Sequence, residues 1–214
     1  MSRPTAIVYI DGFNLYRRCL QTSPYKWLNL EELSNLLLKE FEVVKVNYFT
    51  ALIKNQPHNQ QAPQRRQTYL RALRTLPTIE IHLGQFRVDK RWMPVHPLTL
   101  DAQGNPQLVR VRKAEEKGSD VNLTTQLIVD GFREAADAFV VVSNDSDLVA
   151  PLRLLRSDLG RTTGLICPVA QPSQQLLSTQ PQLIRKVRQG VLKESQLPEV
   201  LCDVNGVIRR PANW

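Results

Sequence analysis

Five short apolar runs of strand type punctuate this chain, at residues 6–10 (AIVYI), 43–53 (VVKVNYFTALI), 78–86 (TIEIHLGQF), 138–144 (AFVVVSN) and 162–168 (TTGLICP). Helix-periodic segments lie between them at 28–41, 63–76, 120–132 and 147–160. In the first, Leu30, Leu33, Leu37 and Phe41 share one face behind Asn29 as N-cap, and the last stops at Gly160. Strands that alternate with helices imply an α/β domain, a mostly parallel sheet with helices on both faces. At 214 residues one core is expected, with residues 1–170 as the main domain and a basic tail over 171–214 packed on it as a helix and a small extension.

Residues 85–113 interrupt the alternation. They carry a turn signal, DAQGNP, and a period-two stretch in which Val109 and Val111 alternate with Arg110 and Arg112, so an inserted hairpin or arm is expected. The three cysteines and three histidines, His58 among them, form no zinc pattern. No run approaches the roughly 20 apolar residues that span a bilayer, and no secretory leader is evident, so a cytoplasmic protein is expected. The net charge of +8 favours an anionic partner, with a merely solvated basic surface as the plain alternative.

In an open parallel sheet, functional groups gather beyond the carboxyl ends of strands, where strand order reverses. Asp11 directly follows the first strand, and Asp145 and Asp147 follow the fourth in VVVSNDSDL. If those strands are neighbours, as in an order 3-2-1-4-5, their carboxylates meet at one crevice. A third acid, Asp120, opens a helix after Gly118, with Ser119 expected as its N-cap. Two carboxylates about 4 Å apart repel by roughly 4 kcal/mol at an effective dielectric near 20, and a divalent cation relieves this. Oxygen donors without His or Cys suit Mg²⁺ or Mn²⁺. Each acid also has an ordinary structural use: a turn former or N-cap at Asp11 and Asp145, a first-turn acid on the helix dipole at Asp120.

Taken together and in this order, YIDGFNLY, KGSDVNLTTQLI and VVVSNDSDLVAPLRLLRSDLG resemble the three signatures of the NYN domain, a branch of the PIN-like metal-dependent nucleases. The tail, SQLPEV to VIRRPANW, is similar to that of bacterial stand-alone, LabA-like members. The resemblance implies a Rossmann-like PIN fold with a five-stranded sheet of order 3-2-1-4-5, a Mg²⁺ or Mn²⁺ site, and endonucleolytic hydrolysis of single-stranded or loop RNA. It implies products with 5′-phosphate and 3′-hydroxyl ends. Asp11, Asp120, Asp145 and Asp147 would be the metal ligands and catalytic acids, and Asn14 would steady the metal site or a substrate phosphate. Asn144 departs from the Gly that many relatives carry in the SNDSD loop.

The expected substrate contacts are Asn14, Arg17, Lys117, Ser143 and Asn144 around the acids, with Arg91 and Trp92 on the arm. Arg18 follows the first motif, and Arg65, Arg66, Arg71 and Arg74 form either an RNA-facing or a solvated helix face. On the arm Arg87, Lys90, Arg110, Arg112 and Lys113 mix with Phe86, a combination that holds a phosphate backbone and stacks unpaired bases. Glu115 and Glu116 are solvated charges or outer acids of the metal site. The alternatives are a non-catalytic RNA-binding or scaffold module, a DNA-directed nuclease, and a phosphotransfer fold. A haloacid-dehalogenase-like phosphatase wants an acid where Phe13 stands, and a receiver wants a lysine that GLICPVA does not supply. No membrane partner is expected, and either a monomer or a homodimer is compatible.

Overall fold

A computed structural model describes residues 2–52, 60–212 and 214, without the side chains of Ala114 and Glu115. His58 and the end of the second expected strand, Ile53, lie outside the described residues. In chain order the elements are β1 (Thr5–Asp11), α1 (Gly12–Leu15, continued by a π-helical turn Tyr16–Leu20), α2 (Leu30–Leu37), β2 (Glu42–Ala51), α3 (Ala62–Leu73), β3 (Ile79–Pro94) and β4 (Leu108–Lys117). There follow α4 (Ser119–Phe132), β5 (Ala138–Val142), α5 (Val149–Arg153, between a 3₁₀ turn and a π turn), β6 (Thr162–Cys167), α6 (Gln174–Leu177), β7 (Leu183–Lys186), α7 (Gln189–Glu194), β8 (Val200–Asp203) and β9 (Gly206–Arg209).

The main sheet has seven strands in the order β4-β3-β2-β1-β5-β6-β7, all parallel except β4. Alternate residues of β1 enter opposite cores, because successive side chains of a strand point to opposite faces. Val8 and Ile10 pack with Leu30, Leu33, Leu37, Tyr69 and Leu70 from α2 and α3. Ile7 and Tyr9 pack with Leu123, Leu127, Leu152 and Leu155 from α4, α5 and the π turn after α5.

Five strands are therefore too few. The inner five keep the spatial order β3-β2-β1-β5-β6, but β4 is added antiparallel at one edge and β7 parallel at the other. The expected hairpin is present, and its first strand is continuous with the sheet. β3 pairs parallel with β2 from Ile79 to Gly84, then changes partner and pairs antiparallel with β4 from Gln85 to Pro94. One 16-residue strand thus serves both the sheet and the arm.

Helix α2 begins where expected, the Asn29 side chain accepting the Glu32 N–H at 3.0 Å. It ends at Leu37 rather than Phe41, since Leu38 leaves helical geometry at φ −125°. In the tail, β7 joins the main sheet and Leu197 and Ile208 are buried in the core of α2 and α3. Trp27, wholly buried, donates its indole N–H to Pro198 O at 2.8 Å and meets the ring of Trp214 edge-on.

Candidate metal centre and nucleic-acid cleft

Strand order reverses at β1, whose successor β2 lies on one side and β5 on the other, and the carboxyl ends of β1 and β5 open into one cleft. The cleft, about 630 Å³, is lined by Asp11, Phe13, Asn14, Arg17, Arg18, Phe86, Glu116, Lys117, Asp120 and Asp145. Asp11, Asp120 and Asp145, one from each of the three motifs, line it together.

Asp11 is nearly buried, 5% exposed, and each carboxylate oxygen has a donor. Oδ1 accepts the Asn14 N–H at 2.9 Å and Oδ2 accepts the Ser143 hydroxyl at 2.9 Å. Asp11 thus caps α1 and lines the cleft at once. Burial raises the Asp11 carboxyl above its usual range, against hydrogen bonds from Asn14, Ser143 and the Phe13 backbone, and the neighbouring Asp145 raises it further. Gly12 follows because nothing larger fits: a Cβ there would sit 2.7 Å from Phe49 O and from the Tyr48 ring.

Ser143 is wholly buried and does not face the cleft. Its hydroxyl donates to Asp11 and accepts the Asp145 N–H at 3.1 Å, tying the ends of β1 and β5 together. Asn144 is likewise a strut, its N–H donating to Asn14 Oδ1 at 3.1 Å while its own Oδ1 accepts the Ser173 N–H at 2.8 Å. Both residues position the acids, and neither is a lining contact.

Asp145 Oδ1 accepts the Asp147 N–H at 3.2 Å and so caps the 3₁₀ turn. Asp147 is exposed and outside the lining, yet its charge reaches Asp120. Asp120 shows the strongest effect. Withdrawal from water by the cleft walls, then repulsion from Asp11, Asp145, Glu116 and Asp147, pushes its carboxyl up to about 6. The Asp120 residue stays exposed at the cleft mouth.

The start of α4 differs from expectation. Gly118, at φ 94°, is the N-cap, a left-handed conformation that only glycine adopts without strain, and Ser119 is the first helical residue. Glu116 supplies the cap in its place, Oε1 accepting the Ser119 N–H at 2.9 Å. Lys117 ends β4 and lines the cleft beside it.

Phe13 and Phe86 form an aromatic wall, their ring centroids 6.3 Å apart. Behind Phe13 lies Arg66, 6% exposed, which donates to Thr50 Oγ1 and lies 6.0 Å and 5.7 Å from the Phe13 and Tyr48 rings. Arg71 is engaged by Asp203, donating from Nε to Oδ2 at 2.7 Å. These two α3 arginines brace the fold, because their guanidiniums are already committed to internal partners. Arg91 and Trp92 lie out on the arm, beyond the lining; Arg91 pairs with Asp89 at 3.3 Å and Trp92 is 65% exposed. The Glu115 side chain lies outside the described residues.

Among the described residues no three His, Cys, Asp or Glu side chains converge closely enough to hold an ion as they stand. The donors nonetheless fit a hard divalent cation in type and charge. They are all oxygen, and the repulsion among the acids, which together with burial raises Asp120, is what a cation relieves. A three-ligand site requires Asp120 and Asp145 to close toward Asp11.

The sheet with an acidic and basic cleft at its switch point defines an α/β domain with its functional groups gathered at the carboxyl ends of the strands. The NYN domain matches residues 5–186, and the chain belongs to that family. Its relatives include the 6-hydroxy-3-succinoylpyridine 3-monooxygenase HspA of Pseudomonas putida (strain DSM 28022 / S16), 30% identical over 235 residues, covering 97% of this chain and 74% of that protein. Among solved structures, a protein of unknown function, VPA0982 from Vibrio parahaemolyticus RIMD 2210633, superposes with a TM-score of 0.55 at 17% identity, covering 87% of this chain and 94% of that one. That likeness shows the fold alone. No helix among the described residues is long and apolar enough to cross a membrane.

Proposed function

We propose that the protein is a metal-dependent endoribonuclease acting on single-stranded or loop RNA. One observation carries the reading: Asp11, Asp120 and Asp145 share a cleft with Arg17, Arg18 and Lys117, acids for a cation beside cations for a phosphodiester. None of the described lining residues is a Ser, Thr, Cys, Tyr or His, and this reading commits the acids to the cation and Lys117 to the phosphate, which leaves water as the nucleophile.

Asp11, Asp120 and Asp145 would hold Mg²⁺ or Mn²⁺, with Asp147 acting through its charge or through water. When bound, such an ion supplies Lewis acidity and lowers the pKa of water. The chain's own groups do the rest. Ser143 and the Asn14 N–H keep Asp11 ionised and aimed, while Lys117, Arg17 and Arg18 offset charge on the scissile phosphate. The Phe13 and Phe86 rings offer an apolar wall to a base or ribose.

Cleavage of a labelled single-stranded RNA and a matched DNA in Mn²⁺, Mg²⁺ and EDTA tests this. RNA cutting in either metal, absent in EDTA and reduced at least 100-fold in Asp11→Asn and Asp145→Asn, is the expected result. Binding without cutting under every condition would leave a scaffold module.

A second reading rests on HspA. The Phe13 and Phe86 wall beside Arg17 and Arg18 also suits an aromatic carboxylate. Oxygen consumption that depends on 6-hydroxy-3-succinoylpyridine and an added electron donor, without RNA cleavage, would favour it.

A further inference from the structure

The β3–β4 ribbon has two unlike faces. In an antiparallel pair, directly opposed residues lie on the same face, and the register opposes Phe86 to Glu116, Lys90 to Arg112 and Trp92 to Arg110. Phe86 and Glu116 line the cleft, so this face leaves the acid cluster and carries Lys90, Arg112, Arg110 and Trp92 outward. All four of these are exposed, and among the described residues Lys90, Arg110 and Arg112 form no ion pair. On the opposite face Arg87 and Arg91 are drawn onto Asp89, at 2.9 Å and 3.3 Å.

We infer that the cleft-side face of this ribbon is a binding track for a single-stranded polynucleotide, which it leads into the acid cluster. Three cations in succession match a phosphate backbone, and an exposed indole beside Arg110 offers a face on which an unpaired base stacks. From Phe86 to Trp92 the track spans six residues, about 20 Å at roughly 3.3 Å per residue, room for a few nucleotides. A duplex buries its base faces, so the stacking surface selects single strands. The inference rests on the nuclease reading for what happens at the inner end, but its binding claim stands apart from cutting.

The test measures fluorescence anisotropy of a labelled 15-nucleotide RNA, its DNA counterpart and an RNA duplex in EDTA, where binding is separated from cleavage. The variants are Lys90→Ala/Arg110→Ala/Arg112→Ala, Trp92→Ala, and a charge-matched control remote from the arm, Arg133→Ala/Lys193→Ala/Arg209→Ala. Affinity for the single strand falls at least tenfold in the arm triple variant and roughly tenfold in Trp92→Ala, against less than threefold in the control. The slope of log K against log salt shrinks by about 2 in the triple variant, near 0.7 per contact removed. Comparable losses for RNA and DNA make the track a general single-strand reader, and loss for RNA alone makes it an RNA reader; both support the track. An arm variant no weaker than the control overturns it, as does equal wild-type affinity for the duplex. So does a wild-type dimer that the arm variants dissociate without change in RNA affinity, since the face then meets a second copy. Arm-dependent binding with no cutting in Mn²⁺ sinks the nuclease reading and leaves the track. Cutting and binding that ignore the arm do the reverse.

Discussion

Asp120 couples protonation to folding. Its carboxyl titrates near 6 in the folded chain against an ordinary 3.8, so the native state holds this proton more tightly than the unfolded chain does. The associated stability is fully present below about pH 4 and is lost as pH rises through 6. In EDTA at pH 8, Asp120→Asn is therefore expected to melt about 2–4 °C above wild type, the shift of roughly 1 kcal/mol in a chain of this size once solvent screening is allowed for. At pH 4 the two should coincide in the same calorimetric scan. Ser143→Ala acts oppositely, leaving the buried Asp11 Oδ2 without its donor. A loss of about 1–3 kcal/mol is expected in urea melts, with cleavage reduced as Asp11 loses its aim. Asp11, Asp120 and Asp145 were legible in the sequence because each ends or begins an element at a junction the periodicity marks. The part played by Ser143 was not, since a serine in a strand-to-helix loop reads equally as lining or strut, and only the sheet register buries it.

At the level of elements, Glu116 separates capping from charge. It caps α4 through Ser119 N–H and also raises the Asp120 carboxyl. Glu116→Gln keeps an acceptor, so its thermal stability should match wild type, whereas Glu116→Ala should lose about 1 kcal/mol as other side-chain caps do. Titration of Asp120 by NMR should move toward 3.8 in both, because both remove the charge. The alternation of strands and helices placed β1, β2, β3, β5 and β6 and the helices α2 to α5 that cover them, but not β7, whose four residues lie in the tail expected to form a helix and a small extension. It did not show that β3 changes partner between Gly84 and Gln85, because periodicity records which face a residue takes and not which strand lies beside it. The helix arginines were ambiguous for a related reason: Arg71 answers to Asp203, 132 residues away.

For the molecule as a whole, the tail closes the core of α2 and α3. Leu197 and Ile208 are buried there, Leu197 N–H donates to Trp27 O at 2.9 Å, and Asn29 N–H donates to Ser195 O at 2.8 Å. Removing residues 196–214 strips two buried aliphatic side chains and uncovers Trp27, at about 1.5–3 kcal/mol for each large side chain. The truncated chain should melt at least 10 °C lower and bind a dye for exposed apolar surface, and an unchanged melt would show the tail to be an accessory. Only Gly118 and Ser119 separate the last residue of the arm, Lys117, from Asp120, and the Glu116 cap fastens the arm to the first turn of α4. The ribbon is thus rooted twice, through β3 in the parallel sheet and through Gly118 in α4, and Asp120 stands within three residues of the second root.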